Sequence, residues 1–156
     1  MKRIKKILFL SALLGVVTVG LWPIEAGVMI GSNSKPNRVN YGVSGSMGFI
    51  IPILKFEVEY YRFKEDDLLL LPKNTLTAGV KFRPKFGRFS PFAVVGVGGD
   101  FNQISLKKDE FDTFVFIGGG LYIHLSGPFS LRGDVRFLNY SGFNRTRVAA
   151  GVFFRI

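Results

Sequence analysis

The chain has no cysteine and a single histidine. Disulfides, a lipid-modified N-terminal Cys and thiolate metal sites are therefore excluded. After residue 26 it also lacks any segment of helical period; its apolar repeats there have a period of two. Acidic side chains are scarce, 11 against 21 Lys and Arg, for a net charge of +10. The basic residues are scattered rather than clustered, which argues against nucleic acid as a partner. Abundant instead are Phe, with 17, and Gly, with 19 of 156 residues. Phe suits a half-buried pleated surface, and Gly within strands leaves room for neighbouring groups or sharp bends. The length fits one domain.

The opening stretch MKRIKKILFLSALLGVVTVGLWPIEA has four positive charges, an apolar run over 7–20 and a small residue at Ala26. It reads as a secretory signal peptide, residues 1-26, cleaved after Ala26. The competing reading is an uncleaved anchor, but the run is shorter than the ~20 residues a spanning helix needs. Cleavage there leaves one domain, 27-156, with 17 basic and 10 acidic side chains, net +7. A basic exported chain suits acidic lipid headgroups.

Eight period-2 segments follow, near 27–32, 40–51, 53–64, 74–84, 90–102, 112–124, 128–140 and 147–156. Each has one apolar face. Leu54, Phe56, Val58 and Tyr60 oppose Lys55, Glu57, Glu59 and Tyr61; Leu131, Val135 and Phe137 oppose Arg132, Asp134 and Arg136. A soluble sandwich or lipocalin-like periplasmic carrier would turn the apolar faces inward. A transmembrane barrel turns them to lipid. The connections decide between them. SNSKPNRVN, KEDDLLLLPKN, NQISLKKDEFD and NYSGFNR read as longer; the turns near Pro52, Gly87 and Gly127 read as shorter. Long outer loops, short inner turns and strands near ten residues predict an all-β, eight-stranded antiparallel up-and-down transmembrane β-barrel. Closure would also remove the exposed edges of these long apolar strands.

The ending RVAAGVFFRI resembles the assembly signal of bacterial outer-membrane barrels. Gly151, Phe154 and Ile156 match its spacing, while Ala149 stands where a polar residue is usual and Ile156 where Phe is usual. Through FEVEYYRF, TLTAGVKFRP, FSPFAVVGVGGDF and FSLRGDVRF, the chain after residue 26 resembles the small eight-stranded outer-membrane β-barrel domain family. The resemblance implies a place in the bacterial outer membrane and contact with its lipid and lipopolysaccharide. It also implies handling by the outer-membrane assembly machinery during biogenesis. The implied role is non-enzymatic, in envelope structure or surface interaction through the outer loops.

Little else suggests chemistry. Lipid A deacylases, a class of eight-stranded barrel enzymes, carry His-x-Ser-Asn late in the chain and a Glu on the last strand. Here His124 and Ser126 fall near an inner turn instead. At the corresponding place stand Asn139, Tyr140 and Ser141, and the last strand has no acid. A Ser without a base is only a hydroxyl. No cofactor is expected. Glu65, Asp66 and Asp67 read as a solvated acidic loop, and the four leucines 68–71 as packing on the barrel lip. Gly-x-Gly in VVGVGGDF precedes no helix, so it is no nucleotide loop. Lys35, Arg38, Lys73, Lys107 and Lys108 are expected on outer loops.

Parity makes the interior the candidate site. Glu57, Glu59, Lys81, Arg83, Asp100, Arg132, Asp134, Arg136 and Arg147 should form one ion-pair network that fills the lumen. A constant index sum near 138 or 140 would set Glu57 and Glu59 beside Lys81 and Arg83. Gly118 and Gly120 should lie near Asp134 and Arg132.

Overall fold

The computed structural model describes residues 23–35, 37–48, 51–64, 73–102 and 111–156. Eight strands make one closed barrel in chain order: β1 Ile24–Asn33, β2 Arg38–Gly48, β3 Leu54–Phe63, β4 Asn74–Phe82, β5 Phe89–Phe101, β6 Phe111–His124, β7 Phe129–Tyr140 and β8 Asn144–Arg155. Every neighbouring pair is antiparallel, and β1 pairs with β8 to close the sheet. β1 begins at Ile24, three residues before the expected start, and β8 begins at Asn144.

The faces follow the period-2 pattern and turn the molecule inside out. Apolar side chains point outward around the whole wall. Val28, Val95, Ile117, Phe137 and Val148 are all exposed, Ile117 by 62%. The inward rows carry the charges: Glu59 and Arg136 are each 1% exposed. A soluble carrier requires the opposite arrangement. Water would leave the outer belt unburied, whereas hydrocarbon satisfies it.

Two halves of the lumen differ. β3, β7 and β8 project acids and guanidinium groups inward, and β5 and β6 project rings. Phe92, Val94, Phe114, Phe116 and Tyr122 form a continuous buried cluster with Leu138, Tyr140 and Phe153. The rings need space, and glycine supplies it. A Cβ on Gly96 or Gly98 would run into the rings of Phe116 and Phe114.

The connections correct the expected alternation. β7 and β8 are joined by 141–143 alone, shorter than the 83–88 link at the opposite end. The length asymmetry rests on 64–73 and 102–110, which define the long-loop end. The start of β1 and the end of β8 lie at the other end, here the termini end. There Gly87 and Gly127 turn with φ of 59° and 69°, a left-handed conformation that favours glycine. Glu65, Asp66, Asp67, the leucines 68–71, Lys107 and Lys108 lie outside the described residues. Lys35 and Lys73 are exposed at the long-loop end. Arg38 is not a loop residue: it opens β2, is buried, and stacks 4.6 Å over the Phe63 ring.

Candidate functional site

The registers set which inward side chains meet. In the β3–β4 hairpin Glu57 sits opposite Gly79 and Glu59 opposite Thr77, with Lys55 opposite Lys81. In the β6–β7 hairpin Gly118 faces Arg136 and Gly120 faces Asp134. Both differ from the expected pairings by an even shift. An even shift leaves every side chain on its face and changes only its neighbour. The faces were therefore readable; of the expected partners Glu57 and Lys81 meet, whereas Arg83 goes to Glu25.

The inward charges form three layers rather than one network. The middle layer is the largest. Glu57 receives Lys81 Nζ at 2.6 Å, Arg132 at 2.7 Å and Arg136 at 2.6 Å. Glu59 receives Arg136 at 2.7 Å, Arg147 at 2.9 Å and Arg132 at 3.0 Å. Asp134 lies 2.7 Å from Arg132 and within 3.7 Å of Arg147. Tyr122 Oη accepts from Lys81 at 2.9 Å. Each acid here touches at least two cations, which offsets the desolvation that burial imposes.

The aromatic half holds the same cations from the side. Arg132 lies 4.8 Å from the Phe92 ring centre and 5.2 Å from that of Phe153. Arg136 sits 5.0 Å over Phe116, and Arg147 4.5 Å over Tyr61. Each of these guanidinium groups is thus held between carboxylates and ring faces.

The two end layers are smaller. At the long-loop end Asp100 meets Arg145 at 3.2 Å and accepts from Tyr140 Oη at 2.8 Å and from Thr75 Oγ1. At the termini end Arg83 forks onto Glu25, with contacts of 2.7 and 2.6 Å, and Lys55 lies 3.4 Å away. Of the nine expected lumen residues, Glu57, Glu59, Lys81, Arg132, Asp134, Arg136 and Arg147 come together. Arg83 and Asp100 join the end layers. Sequence reasoning missed Glu25, Lys55 and Arg145 as site residues. Lys55 and Arg145 share parity with Glu57 and Arg147, so extending each row by two positions would have found them.

The remaining candidates sit apart. Gly151 is in the wall beside Met29 and Arg132; Phe154 points outward with its ring edge on Phe129; Ile156 is exposed, its N–H on Ile24 O at 2.9 Å. His124 bridges two serines at the termini end, Nε2 to Ser90 Oγ at 2.8 Å and Nδ1 to Ser130 Oγ at 2.9 Å. Both serines are buried, and both ring nitrogens are spent on hydroxyls, so no carboxylate orients the ring as a base. Asn139 and Ser141 are exposed at the long-loop end. Among the described residues no group of three His, Cys, Asp or Glu could hold a metal ion.

Known structures share this architecture. The N-terminal β-barrel domain of Pseudomonas aeruginosa OprF matches with a TM-score of 0.68 and 14% identity, covering 86% of this chain and 97% of that one. The chain has the fold of the small eight-stranded outer-membrane β-barrels. Ail, the attachment invasion locus protein of Yersinia pestis, shares this barrel fold at 0.56 and 14%, over 86% and 97% of the two chains. Ail has also been solved with the heparin analogue sucrose octasulfate. The outer membrane enzyme PagL matches at 0.52 and 13%, over 85% and 99%. No family model and no curated protein sequence matches this barrel. An attachment invasion locus protein and an enzyme on one fold leave the role to be argued from the site.

Proposed function

We propose that the chain is an integral protein of the bacterial outer membrane, non-enzymatic, with a lumen closed by its own side chains. It acts in envelope structure or surface interaction through its long-loop end. The inversion of the barrel carries this reading: an unbroken apolar exterior around a lumen whose middle is an ion-paired plug. In this orientation the termini end faces the periplasm. The assembly machinery reads Gly151, Phe154 and Ile156 on the strand that closes the sheet. Lys35 and Lys73 stand where anionic lipopolysaccharide headgroups would meet the barrel.

The test is fractionation with gel mobility before and after boiling. The protein should partition with outer membranes and run as a compact, heat-modifiable band. In planar bilayers it should give no sizeable conductance. Recovery in the soluble periplasmic fraction would refute membrane insertion, and large steady single-channel currents would refute the plug.

The sharing of a fold with an enzyme raises a second reading, hydrolysis of lipid A acyl chains. The side chains speak against it. Ser141 has Asn139, not His, two residues before it, and β8 contains no Asp or Glu. An unchanged lipid A mass spectrum on overexpression is the expected result. Loss of an acyl chain would establish the enzyme.

A further inference from the structure

Glu25 lies inside the stretch that sequence patterning assigns to the leader, yet it is 2% exposed within the barrel. Its carboxylate takes both terminal nitrogens of Arg83, at 2.7 and 2.6 Å. Lys55 Nζ is 3.4 Å away, and Ser46 Oγ donates at 3.4 Å. Arg83 and Lys55 are themselves buried. The backbone is committed as well. Glu25 pairs with Ser46 on β2 and Arg155 on β8, and Ala26 with Gly45 and Phe154. Ile24 O receives the Ile156 N–H.

Cleavage after Ala26 would delete all of this. Arg83 and Lys55 would stay together in the lumen with their carboxylate gone. The new α-amino group of Gly27, which pairs with Ser44 and Phe153, would add a third cation to that end. Among the described residues eight basic and five acidic side chains are buried, so the lumen is already short of anions. Losing a fifth of its acids at one end would leave buried charge uncompensated. The seam between β1 and β8 would lose the pairs that hold the last residues of β8.

We propose that processing falls before Ile24 and leaves Glu25 in the mature barrel, as the counter-ion that closes its termini end. The sequence offers a site that does this. Thr18 and Gly20, at the end of the apolar run, put small residues three and one before the cut. Ile24 and Ala26 do so less well, because Ile24 is large. A cut after Gly20 makes Leu21 the first residue.

Mass spectrometry of the mature protein from outer membranes tests the position. Lys35 precedes Pro36, so the first tryptic peptide ends at Arg38 and reports the N-terminus directly. A peptide beginning at Leu21, or anywhere from there to Ile24, supports the proposal. One beginning at Gly27 overturns it, as does retention of residues 1–20. The role of Glu25 is tested in the same full chain by heat-modifiable mobility. Glu25→Gln should lower the melting midpoint by several degrees, and adding Arg83→Gln should recover at least half of that loss, since the pair is removed together. An unchanged midpoint for Glu25→Gln, or additive losses in the pair, would refute the counter-ion role.

Discussion

At mid-barrel Glu57 and Glu59 share four cations, Lys81, Arg132, Arg136 and Arg147, whereas at the long-loop end Asp100 meets Arg145 and completes its shell with the hydroxyls of Thr75 and Tyr140. The difference is one of replaceability. Water near a barrel mouth can take over from a hydroxyl or from one arm of Arg145. Nothing can replace a carboxylate in the middle, where Arg132, Arg136 and Arg147 are 1–2% exposed. On the proposed reading the middle layer is a structural plug, and the long-loop end is adjustable.

That contrast is broken most severely by Glu59→Ala. The variant leaves Arg147 and Arg136 buried beside one fewer carboxylate, and it should cost about 3–5 kcal/mol. Urea unfolding in detergent micelles measures it, and a loss below about 1 kcal/mol would mean a wet, solvated lumen. Next in size is a charge on the opposite face of the wall. Ile117→Arg places a cation mid-strand on the apolar belt and should cost about 2–4 kcal/mol in bilayers. On a face that meets water the same substitution would be harmless, so a neutral result would mean that the apolar belt does not meet lipid. Asp100→Asn retains the shape of the end layer and removes its charge. Its expected cost is about 1–2 kcal/mol. A loss as large as that of Glu59→Ala would erase the distinction between middle and end. Asp112, exposed and opposite Asp100 in register, is the control. Asp112→Asn should shift stability by no more than about 0.5 kcal/mol.

The alternation of Leu, Phe and Val with Glu, Lys and Arg made eight strands and their two faces legible before any coordinates. A side chain's face depends on parity, and parity survives small errors in where a strand starts. The lumen residues were legible for the same reason. Glu57 and Arg136 needed no register to be placed inside. Aromatic members of the inward rows, such as Phe116 and Tyr122, were visible by parity too, though not their stacking on Arg136 and Arg132.

What the amino-acid order could not decide was partnership. A hairpin whose loop adds or loses two residues keeps every face and shifts every directly opposed residue, so Glu57 lies opposite Gly79; it still meets the expected Lys81, at 2.6 Å on the diagonal, whereas Arg83 goes to Glu25. Closure had the same effect on a larger scale. Only the pairing of β1 with β8 and the meeting of side chains across the lumen bring Glu25 to Arg83, 58 residues away in the chain. Periodicity is local and is written residue by residue. Ion pairs across a barrel depend on the circumference, the stagger and the length of every loop at once, and those are settled only when the sheet has closed.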